Sequence, residues 1–283
     1  MILFKKAGDL RKWLDAQEET GAQIGFVPTM GALHPGHISL IDRSRSQSDI
    51  TVCSIYVNPT QFNDPADLKK YPVTIGKDIG MLESAGCEVL FLPATDEIYP
   101  NGTIAGKNYD IGYLESLLEG RYRPGHFQGV CMVVDRLLEL VKPHNLYLGQ
   151  KDYQQCMVIA RLLELTGRTG EIRLEICPTT READGLAMSS RNLRLTAEER
   201  QKAPEIFRCL QQIKSELRPG DLEPLLETAV SRLSASGFKP DYVEIADAVN
   251  LGPVRKWDGH QKLVALAAVF LNEIRLIDNI ILN

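Results

Sequence analysis

Residues 24–41 read IGFVPTMGALHPGHISLI. The apolar run over residues 24–27 is typical of a short buried strand, and the apolar residues Ile38, Leu40 and Ile41 are typical of one side of a helix. Two glycines, Gly31 and Gly36, lie in the segment that joins them. This stretch therefore predicts a strand that passes through a turn directly into a helix.

The predicted turn carries two histidines in positions suited to phosphate binding. Gly31 and Gly36 let the backbone approach a ligand closely, and a helix start offers unpaired N–H groups and a positive dipole end to an anion. His34 and His37, at i and i+3, project from one face and can donate to the same phosphate chain. Two alternatives stay open. A histidine at a helix start is often a cap or a surface group, and His-x-x-His also occurs in metal sites, although no third ligand stands nearby at a supporting spacing.

Length and charge limit the classes of protein to consider. The chain has 283 residues, 44% of them hydrophobic, which is enough for one large core or for two unequal domains. Its net charge of −5 argues against a general nucleic-acid surface, because such surfaces cluster positive charge against many phosphates. A small charged substrate remains compatible, and no nucleic-acid partner is expected.

Cysteines and apolar runs bear on the compartment. The six cysteines are scattered, mostly in apolar runs and without a Cys-x-x-Cys pair, which predicts buried free thiols. The first residues lack the ordered regions of a signal peptide. The longest apolar run, residues 263–271, is too short to cross a bilayer. We therefore expect a cytoplasmic protein with no membrane partner.

Apolar segments alternate with helical patterns through the first two thirds of the chain. Residues 24–27, 50–57, 89–92, 146–148 and 172–176 read as strands without in/out alternation, and residues 129–141 and 153–165 as the clearest helices. Strands buried on both faces and joined by helical crossovers are typical of a parallel sheet. The fold class is therefore α/β, with a doubly wound parallel sheet whose ligands gather at the carboxyl ends of the strands.

The pattern changes after about residue 179. Residues 197–217 and 222–236 predict two amphipathic helical stretches, and residues 242–245, 263–270 and 274–282 predict strands. We therefore expect two domains, residues 1–179 and a second, smaller α+β domain over residues 180–283.

Two further stretches carry charged and polar residues suited to phosphate. Residues 148–155 read LGQKDYQQ, where Lys151 at the end of a strand can neutralise a phosphate and Asp152 can cap the next helix or hold Mg²⁺. Residues 188–192 read MSSRN, whose hydroxyls and guanidinium can grip phosphate oxygens. Alone, the first stretch is better explained as a solvated turn, and the second is weak evidence because Ser-Ser-Arg occurs in many surface loops.

Together these stretches resemble the pantothenate synthetase family, the pantoate:β-alanine ligases of the nucleotidylyltransferase superfamily, over nearly the whole chain. Five ordered motifs carry the resemblance: residues 27–37, 56–62 (YVNPTQF), 123–127 (RPGHF), 149–155 and 181–192 (READGLAMSSRN). The first resembles the superfamily's His-Ile-Gly-His signature, and the last its Lys-Met-Ser-Lys-Ser loop without the lysines.

The resemblance implies a Rossmann-like domain over residues 1–179 that binds ATP and pantoate, and a lid domain over residues 180–283. It also implies the reaction of pantothenate and coenzyme A biosynthesis, in which pantoate and ATP form pantoyl adenylate and pyrophosphate, and β-alanine then displaces AMP. Mg²⁺ is the expected metal, with Asp152 as a candidate ligand, and a homodimer is the expected assembly.

The resemblance further implies roles for individual residues. His37, as the proton donor, His34 and Lys151 are the expected catalytic residues, and Gln61 and Gln155 the expected pantoate and β-alanine ligands. Gln150 stands where many members carry Glu, and Arg121 and Tyr122 where smaller residues are frequent. The expected ATP-binding residues are Met30, Gly31, Ala32, Leu33, His34, Pro35, Gly36, His37, Gly149, Gln150, Lys151, Asp152, Thr180, Met188, Ser189, Ser190 and Arg191.

Two other functions remain to be weighed against the ligase. One is a relative that transfers a nucleotidyl group to a phosphorylated acceptor, against which Gln61 and Gln155 favour the ligase. The other is a nucleotide-binding regulatory module without catalysis, which would be expected to tolerate loss of His37 or Lys151.

Overall fold

The computed structural model describes residues 1–63, 65–102 and 107–283. The chain divides into two compact units. The first comprises residues 1–149 and 158–177, and the second comprises residues 150–157 and 178–283. The division of labour between a substrate-binding domain and a lid stays a prediction.

The first unit contains a six-stranded parallel sheet, which confirms the predicted fold class. After β2 the chain builds β3 and β4 on one side and then returns to β5 and β6 on the other, so β2 and β5 flank the point where the winding reverses. Ligands of doubly wound sheets bind at such a point, outside the carboxyl ends of the strands. In the order β1-β4-β3-β2-β5-β6, the strands are β1 (Ile2–Phe4), β2 (Ile24–Thr29), β3 (Ile50–Ile55), β4 (Val89–Phe91), β5 (Asn145–Gly149) and β6 (Arg173–Cys177).

The helices of the first unit connect these strands. The predicted helix over residues 129–141 begins earlier, at His126, because Gly125 in a left-handed conformation (φ +79°) lets the chain turn into it. The helix over residues 153–165 begins in the second unit and continues in the first. They are α1 (Ala7–Glu18), α2 (Pro35–Arg45), α3 (Pro65–Lys69), α4 (Ile75–Ser84), α5 (Thr95–Ile98), α6 (Leu118–Tyr122), α7 (His126–Val141) and α8 (Tyr153–Leu165).

The second unit is α+β, as predicted. A three-stranded antiparallel sheet in the order β11-β10-β8 packs its apolar side chains with those of the helices, and β7 and β9 form a separate two-stranded ribbon. Its elements are α9 (Ala197–Lys202), α10 (Glu205–Glu216), β7 (Gly220–Asp221), α11 (Glu223–Ala235), β8 (Lys239–Asp247), β9 (Lys256–Trp257), β10 (Leu263–Leu271) and β11 (Ile274–Ile281).

The prediction of one continuous helical stretch over residues 197–217 is wrong. The stretch contains two helices, α9 and α10, separated at Ala203 and Pro204. Proline has no backbone N–H to donate and its ring crowds the preceding turn, so Pro204 ends one helix and precedes the next. The apolar pattern continues across this break because Ala203, Ile206 and Leu210 are all buried in the same core.

The six cysteines are free and buried, as predicted. Burial raises the pKa of Cys131 to about 12 and that of Cys87 to about 11, so these thiols stay protonated at neutral pH. Among the helices of the described residues, none combines the length and the apolar character that crossing a bilayer requires.

Candidate functional site

The turn between β2 and α2 has an unusual backbone. Gly31 and Ala32 both adopt left-handed conformations, with φ of +78° and +49°, and His34 is extended before Pro35 opens α2. A left-handed alanine costs about 1 kcal/mol relative to an ordinary backbone. Other contacts must therefore stabilise this part of the turn.

The side chain of Asp78, from the first turns of α4, supplies that stabilisation. Its carboxylate accepts hydrogen bonds from the backbone N–H groups of Ala32 (3.0 Å) and Leu33 (2.9 Å), and from the Thr74 hydroxyl (2.9 Å). Asp78 has no solvent exposure, and a Cβ atom at Gly31 would lie 3.1 Å from its Oδ2. Asp78 does not stand out in the sequence, because no local pattern links it to residues 31–33.

The two histidines of the turn lie side by side. Their ring centroids are 4.0 Å apart, and the backbone N–H of His34 donates to Nδ1 of His37 at 3.3 Å. Because Nδ1 of His37 accepts, the proton of its neutral ring is on Nε2. As for the metal alternative, the described residues include no group of three or more His, Cys, Asp or Glu side chains that could hold an ion.

Gln61 lies in a short 3-10 helix, Pro59–Gln61, that follows β3, and it contacts the same turn. Its Nε2 donates to the sulfur of Met30 at 3.0 Å, and its Oε1 accepts from Nδ2 of Asn58 at 3.2 Å. The structure thus brings together Gln61, which the family resemblance assigns to pantoate, and Met30, which it assigns to ATP.

Asn58 is the centre of a buried polar network that sequence reasoning did not identify. Its Nδ2 also donates to the carbonyl of Gly129 (3.1 Å), and its Oδ1 accepts from the hydroxyls of Tyr99 (2.9 Å) and Thr60 (3.0 Å). Burial raises the pKa of Tyr99 to about 12, so its hydroxyl keeps the proton that it donates. A Cβ atom at Gly129 would lie 2.2 Å from the Thr60 carbonyl oxygen, so only glycine allows α7 to approach this closely.

In the second unit, Lys151 and its neighbours form the 3-10 helix Gln150–Asp152 ahead of α8. The Lys151 ammonium is 3.3 Å from each carboxylate oxygen of Asp152. Asn279, on β11, donates from Nδ2 to the carbonyls of Gln150 and Lys151, both at 2.9 Å, and accepts from the Gln150 amide at 3.1 Å. The side-chain amide of Gln150 therefore donates to Asn279. This contact accommodates glutamine at a position where many family members carry Glu.

The residue before Asn279 anchors a second part of this unit. Asp278 is buried and makes a bidentate ion pair with Arg181 at 2.6 and 3.0 Å, while the guanidinium of Arg181 stacks 3.7 Å above the ring centre of Phe207. Burial raises the pKa of the Asp278 carboxyl, and the contact with Arg181 opposes that effect. Arg181 thereby fixes the start of the loop that carries the last motif.

The loop itself is ordered by short-range contacts. The backbone N–H of Met188 donates to the carbonyl of Thr180 at 3.0 Å, so these two expected ATP-binding residues lie together. The Ser189 side chain accepts from the Arg191 backbone N–H at 3.3 Å and caps the 3-10 helix Ser190–Arg194.

The expected site residues fall into two groups, one in each unit. Met30, Gly31, Ala32, Leu33, His34, Pro35, Gly36, His37, Gln61 and Gly149 lie in the first unit. Gln150, Lys151, Asp152, Gln155, Thr180, Met188, Ser189, Ser190 and Arg191 lie in the second. Within the units, contacts join Gln61 to Met30, His34 to His37, Lys151 to Asp152, and Met188 to Thr180.

Comparison with known proteins identifies close relatives. The model of the family described as pantoate-beta-alanine ligase matches residues 2–281. A pantothenate synthetase of Bacteroides fragilis is 42% identical over 275 residues, which cover 96% of this chain and 95% of that protein. The crystal structure of pantothenate synthetase from Thermus thermophilus matches with a TM-score of 0.89 at 38% identity, covering 99% of each chain.

A second solved structure contains bound small molecules. The pantoate-beta-alanine ligase of Francisella tularensis, complexed with beta-gamma ATP and beta-alanine, matches with a TM-score of 0.82 at 36% identity and covers 99% of this chain and 97% of its own. The family model and the relatives extend over nearly the full chain, as the resemblance predicted. The chain therefore belongs to the pantoate-beta-alanine ligase family.

Proposed function

We propose that this ligase condenses pantoate with β-alanine in two steps, through a pantoyl adenylate, with release of pyrophosphate and then AMP. The observation that carries the proposal is the contact between Gln61 and Met30, which joins an amide suited to a small polar acid to a turn suited to phosphate. The complex of the Francisella tularensis relative with beta-gamma ATP and beta-alanine supports the same substrates.

The first step places negative charge on the α-phosphate oxygens and on the departing pyrophosphate, so catalysis depends mainly on preorganised positive charge and alignment. We assign His37 as the proton donor, because its Nδ1 accepts from the backbone and its proton is carried on Nε2. His34 and Lys151 add donors and positive charge. The remaining ATP contacts are assigned to Met30, Gly31, Ala32, Leu33, Pro35, Gly36, Gly149, Gln150, Asp152, Thr180, Met188, Ser189, Ser190 and Arg191.

Pantoate and β-alanine are assigned to Gln61 and Gln155, whose amides can bind hydroxyl and carboxylate oxygens. Mg²⁺ is assigned to Asp152. A single carboxylate beside substrate phosphates fits the coordination that this ion prefers, and the side chain of Asp152 is half exposed. When bound, Mg²⁺ would neutralise charge on the phosphates.

We expect a cytoplasmic homodimer in pantothenate and coenzyme A biosynthesis, with the domain over residues 180–283 acting as a lid on the adenylate. A lid that excludes water would protect this hydrolysable intermediate.

The test is isotope exchange between ATP and pyrophosphate. Pantoate alone should drive the exchange without β-alanine, because the adenylate forms before the amine attacks. Addition of β-alanine should then yield AMP and pantothenate. Formation of ADP and phosphate would contradict this mechanism, and exchange that requires a phosphorylated acceptor instead of pantoate would favour the nucleotidyl-transfer alternative.

A further inference from the structure

We infer that His126, the first residue of α7, is a positioning residue that fixes Gln61 through its main chain and thereby sets the affinity for the acid substrate. The inference rests on the proposed role of Gln61 in binding pantoate. His126 is buried, with 6% of its surface exposed, and its Nδ1 lies 2.7 Å from the carbonyl oxygen of Gln61.

The partners of His126 determine where its proton lies. The carbonyl oxygen of Gln61 can only accept a hydrogen bond, so Nδ1 of His126 must carry the proton. On the other side of the ring, Nε2 lies 3.2 Å from the guanidinium of Arg123, which can only donate. Nε2 must therefore present its lone pair. The imidazole is neutral, in the Nδ1–H form, and Arg123 selects that tautomer.

Arg123 is held in turn by the segment that precedes α7. Its guanidinium lies 3.9 Å from the carboxylate of Glu119, and its backbone N–H donates to the Glu119 carbonyl at 2.8 Å. The RPGHF motif therefore supplies the guanidinium of Arg123, the imidazole of His126 and the turn that places them. This gives the motif a defined purpose, which its sequence did not reveal.

The orientation of the Gln61 amide follows from fixed backbone groups. Asn58 must direct Nδ2 towards the Gly129 carbonyl, because that oxygen only accepts. Its second Nδ2 proton then meets Oε1 of Gln61, which turns Nε2 of Gln61 towards Met30. Gln61 therefore offers N–H donors, and its own side-chain carbonyl oxygen is already engaged.

The two restraints act on the same residue from opposite ends. His126 fixes the main chain of Gln61, and Asn58 fixes its amide. A side chain held in this way loses little conformational freedom when it binds, which favours tight binding. The substrate group that suits it is an oxygen acceptor, such as a carboxylate or the oxygen of a hydroxyl group.

Two variants of the full-length enzyme separate the hydrogen bond from packing. His126→Asn places an amide N–H near the position of Nδ1, whereas His126→Leu keeps similar bulk without a donor. Both lose the contact with Arg123, so their difference reports the bond to Gln61. We expect His126→Leu to raise KM for pantoate about tenfold, with KM for ATP unchanged, and His126→Asn to stay close to the wild type.

A destabilised control excludes a general effect on folding. Leu14 is fully buried in α1, and Leu14→Val should lower the melting temperature without changing KM for pantoate. Equal KM values for pantoate in His126→Leu and His126→Asn would overturn the inference. So would a parallel rise in KM for ATP.

A measurement independent of activity tests the tautomer. In ¹⁵N NMR spectra of the wild-type enzyme at neutral pH, we expect His126 to show a protonated Nδ1 and an unprotonated Nε2. An Nε2–H tautomer would overturn the inference whatever the enzyme catalyses. If pantoate drives no ATP/pyrophosphate exchange but the tautomer is as expected, the proposed function fails while the structural arrangement of His126 stands.

Discussion

The turn after β2 and the turn before α8, which is the 3-10 helix Gln150–Asp152, are anchored in opposite ways. In the first, the carboxylate of Asp78 accepts two backbone N–H groups. In the second, the amide of Asn279 donates to two backbone carbonyls. Each turn carries a candidate catalytic cation or donor, and each is fixed by a buried polar side chain from a distant part of the chain. In each turn, therefore, the anchoring residue sets the geometry together with the motif residue.

The two anchors differ in charge, because Asp78 is a carboxylate and Asn279 is a neutral amide. Hydrogen bonds to a charged group contribute about 1.5–3 kcal/mol each, against about 0.5–1.5 kcal/mol for neutral pairs. Asp78 also accepts from Ala32, whose backbone is left-handed, whereas the segment Gln150–Asp152 is an ordinary 3-10 helix. The turn after β2 should therefore depend more strongly on its anchor than the turn before α8.

The largest effects are expected from the motif residues themselves. His37→Ala and Lys151→Ala should each lower kcat of pantoate-dependent ATP/pyrophosphate exchange by about 100-fold or more, because each stabilises charge that develops in the transition state. Steady-state kinetics would measure this, with thermal unfolding as the control for folding. A variant that kept full turnover would show that its assigned role is wrong, and that result would favour a regulatory nucleotide-binding module.

The next effect concerns the charged anchor. In Asp78→Asn one oxygen is replaced by an NH₂ group that faces a backbone N–H, so we expect a loss of about 2–4 kcal/mol in the free energy of unfolding. Misplacement of the histidines should also lower the exchange rate about 10- to 100-fold. Chemical denaturation and exchange kinetics would measure both quantities.

Thr74→Val is the matched control for Asp78→Asn. It removes the hydroxyl that donates to Asp78 at 2.9 Å but leaves both backbone contacts to the turn. We expect reduced stability with nearly normal exchange. If Thr74→Val slowed exchange as much as Asp78→Asn, the turn would not be the part of the molecule that Asp78 controls.

The neutral anchor should have a smaller effect. Asn279→Ala leaves the carbonyls of Gln150 and Lys151 without their donor, which should cost about 1–2 kcal/mol of unfolding free energy. Asn283→Ala is the control in the same unit, because its amide also pairs with main-chain groups, at Leu263 and Gln261. We expect slower exchange only in Asn279→Ala. A greater loss of stability in Asn279→Ala than in Asp78→Asn would reverse the comparison.

The sequence predicted the elements whose determinants are local. The strand, turn and helix over residues 24–41 follow from apolar spacing and two glycines, and the bounds of α8 agree with the prediction. The break at Pro204 is also a local signal, which the amphipathic pattern on both sides of it obscured. Strand β1 was not predicted, because its three residues are too few to show a pattern.

The anchors could not be predicted in this way. Asp78 lies 46 residues from Ala32, and Asn279 lies 128 residues from Lys151, so only the folded chain shows that they meet. Asn58 and Gly129, separated by 71 residues, are a similar case. A motif identifies the residues that act on a ligand. The residues that hold the motif in place stand at no fixed distance from it along the chain, so the sequence alone does not reveal them.

The smallest functional effect is expected where a buried carboxylate anchors neither turn. Asp135, on α7, accepts from Lys107 (2.8 Å), Arg168 (2.5 Å) and the Tyr109 hydroxyl (2.7 Å). Burial raises the pKa of Asp135, but these three hydrogen bonds outweigh it and leave the pKa below its ordinary value. Because the pKa of Asp135 is lowered in the folded protein, the ionised carboxylate stabilises the fold above its ordinary pKa of about 4. This stabilisation is lost as the pH falls through the pKa of Asp135 in the folded protein.

Asp135→Asn should therefore lower the free energy of unfolding by about 1–3 kcal/mol at pH 7, and the difference from the wild type should shrink as the pH falls below about 4. Exchange activity at neutral pH should be unchanged. Denaturation at several pH values would measure the first effect and kinetics the second. A difference that grew towards low pH would contradict the sign of the pKa shift, and a loss of activity comparable to that of Asp78→Asn would show that a buried carboxylate need not touch a turn to control it.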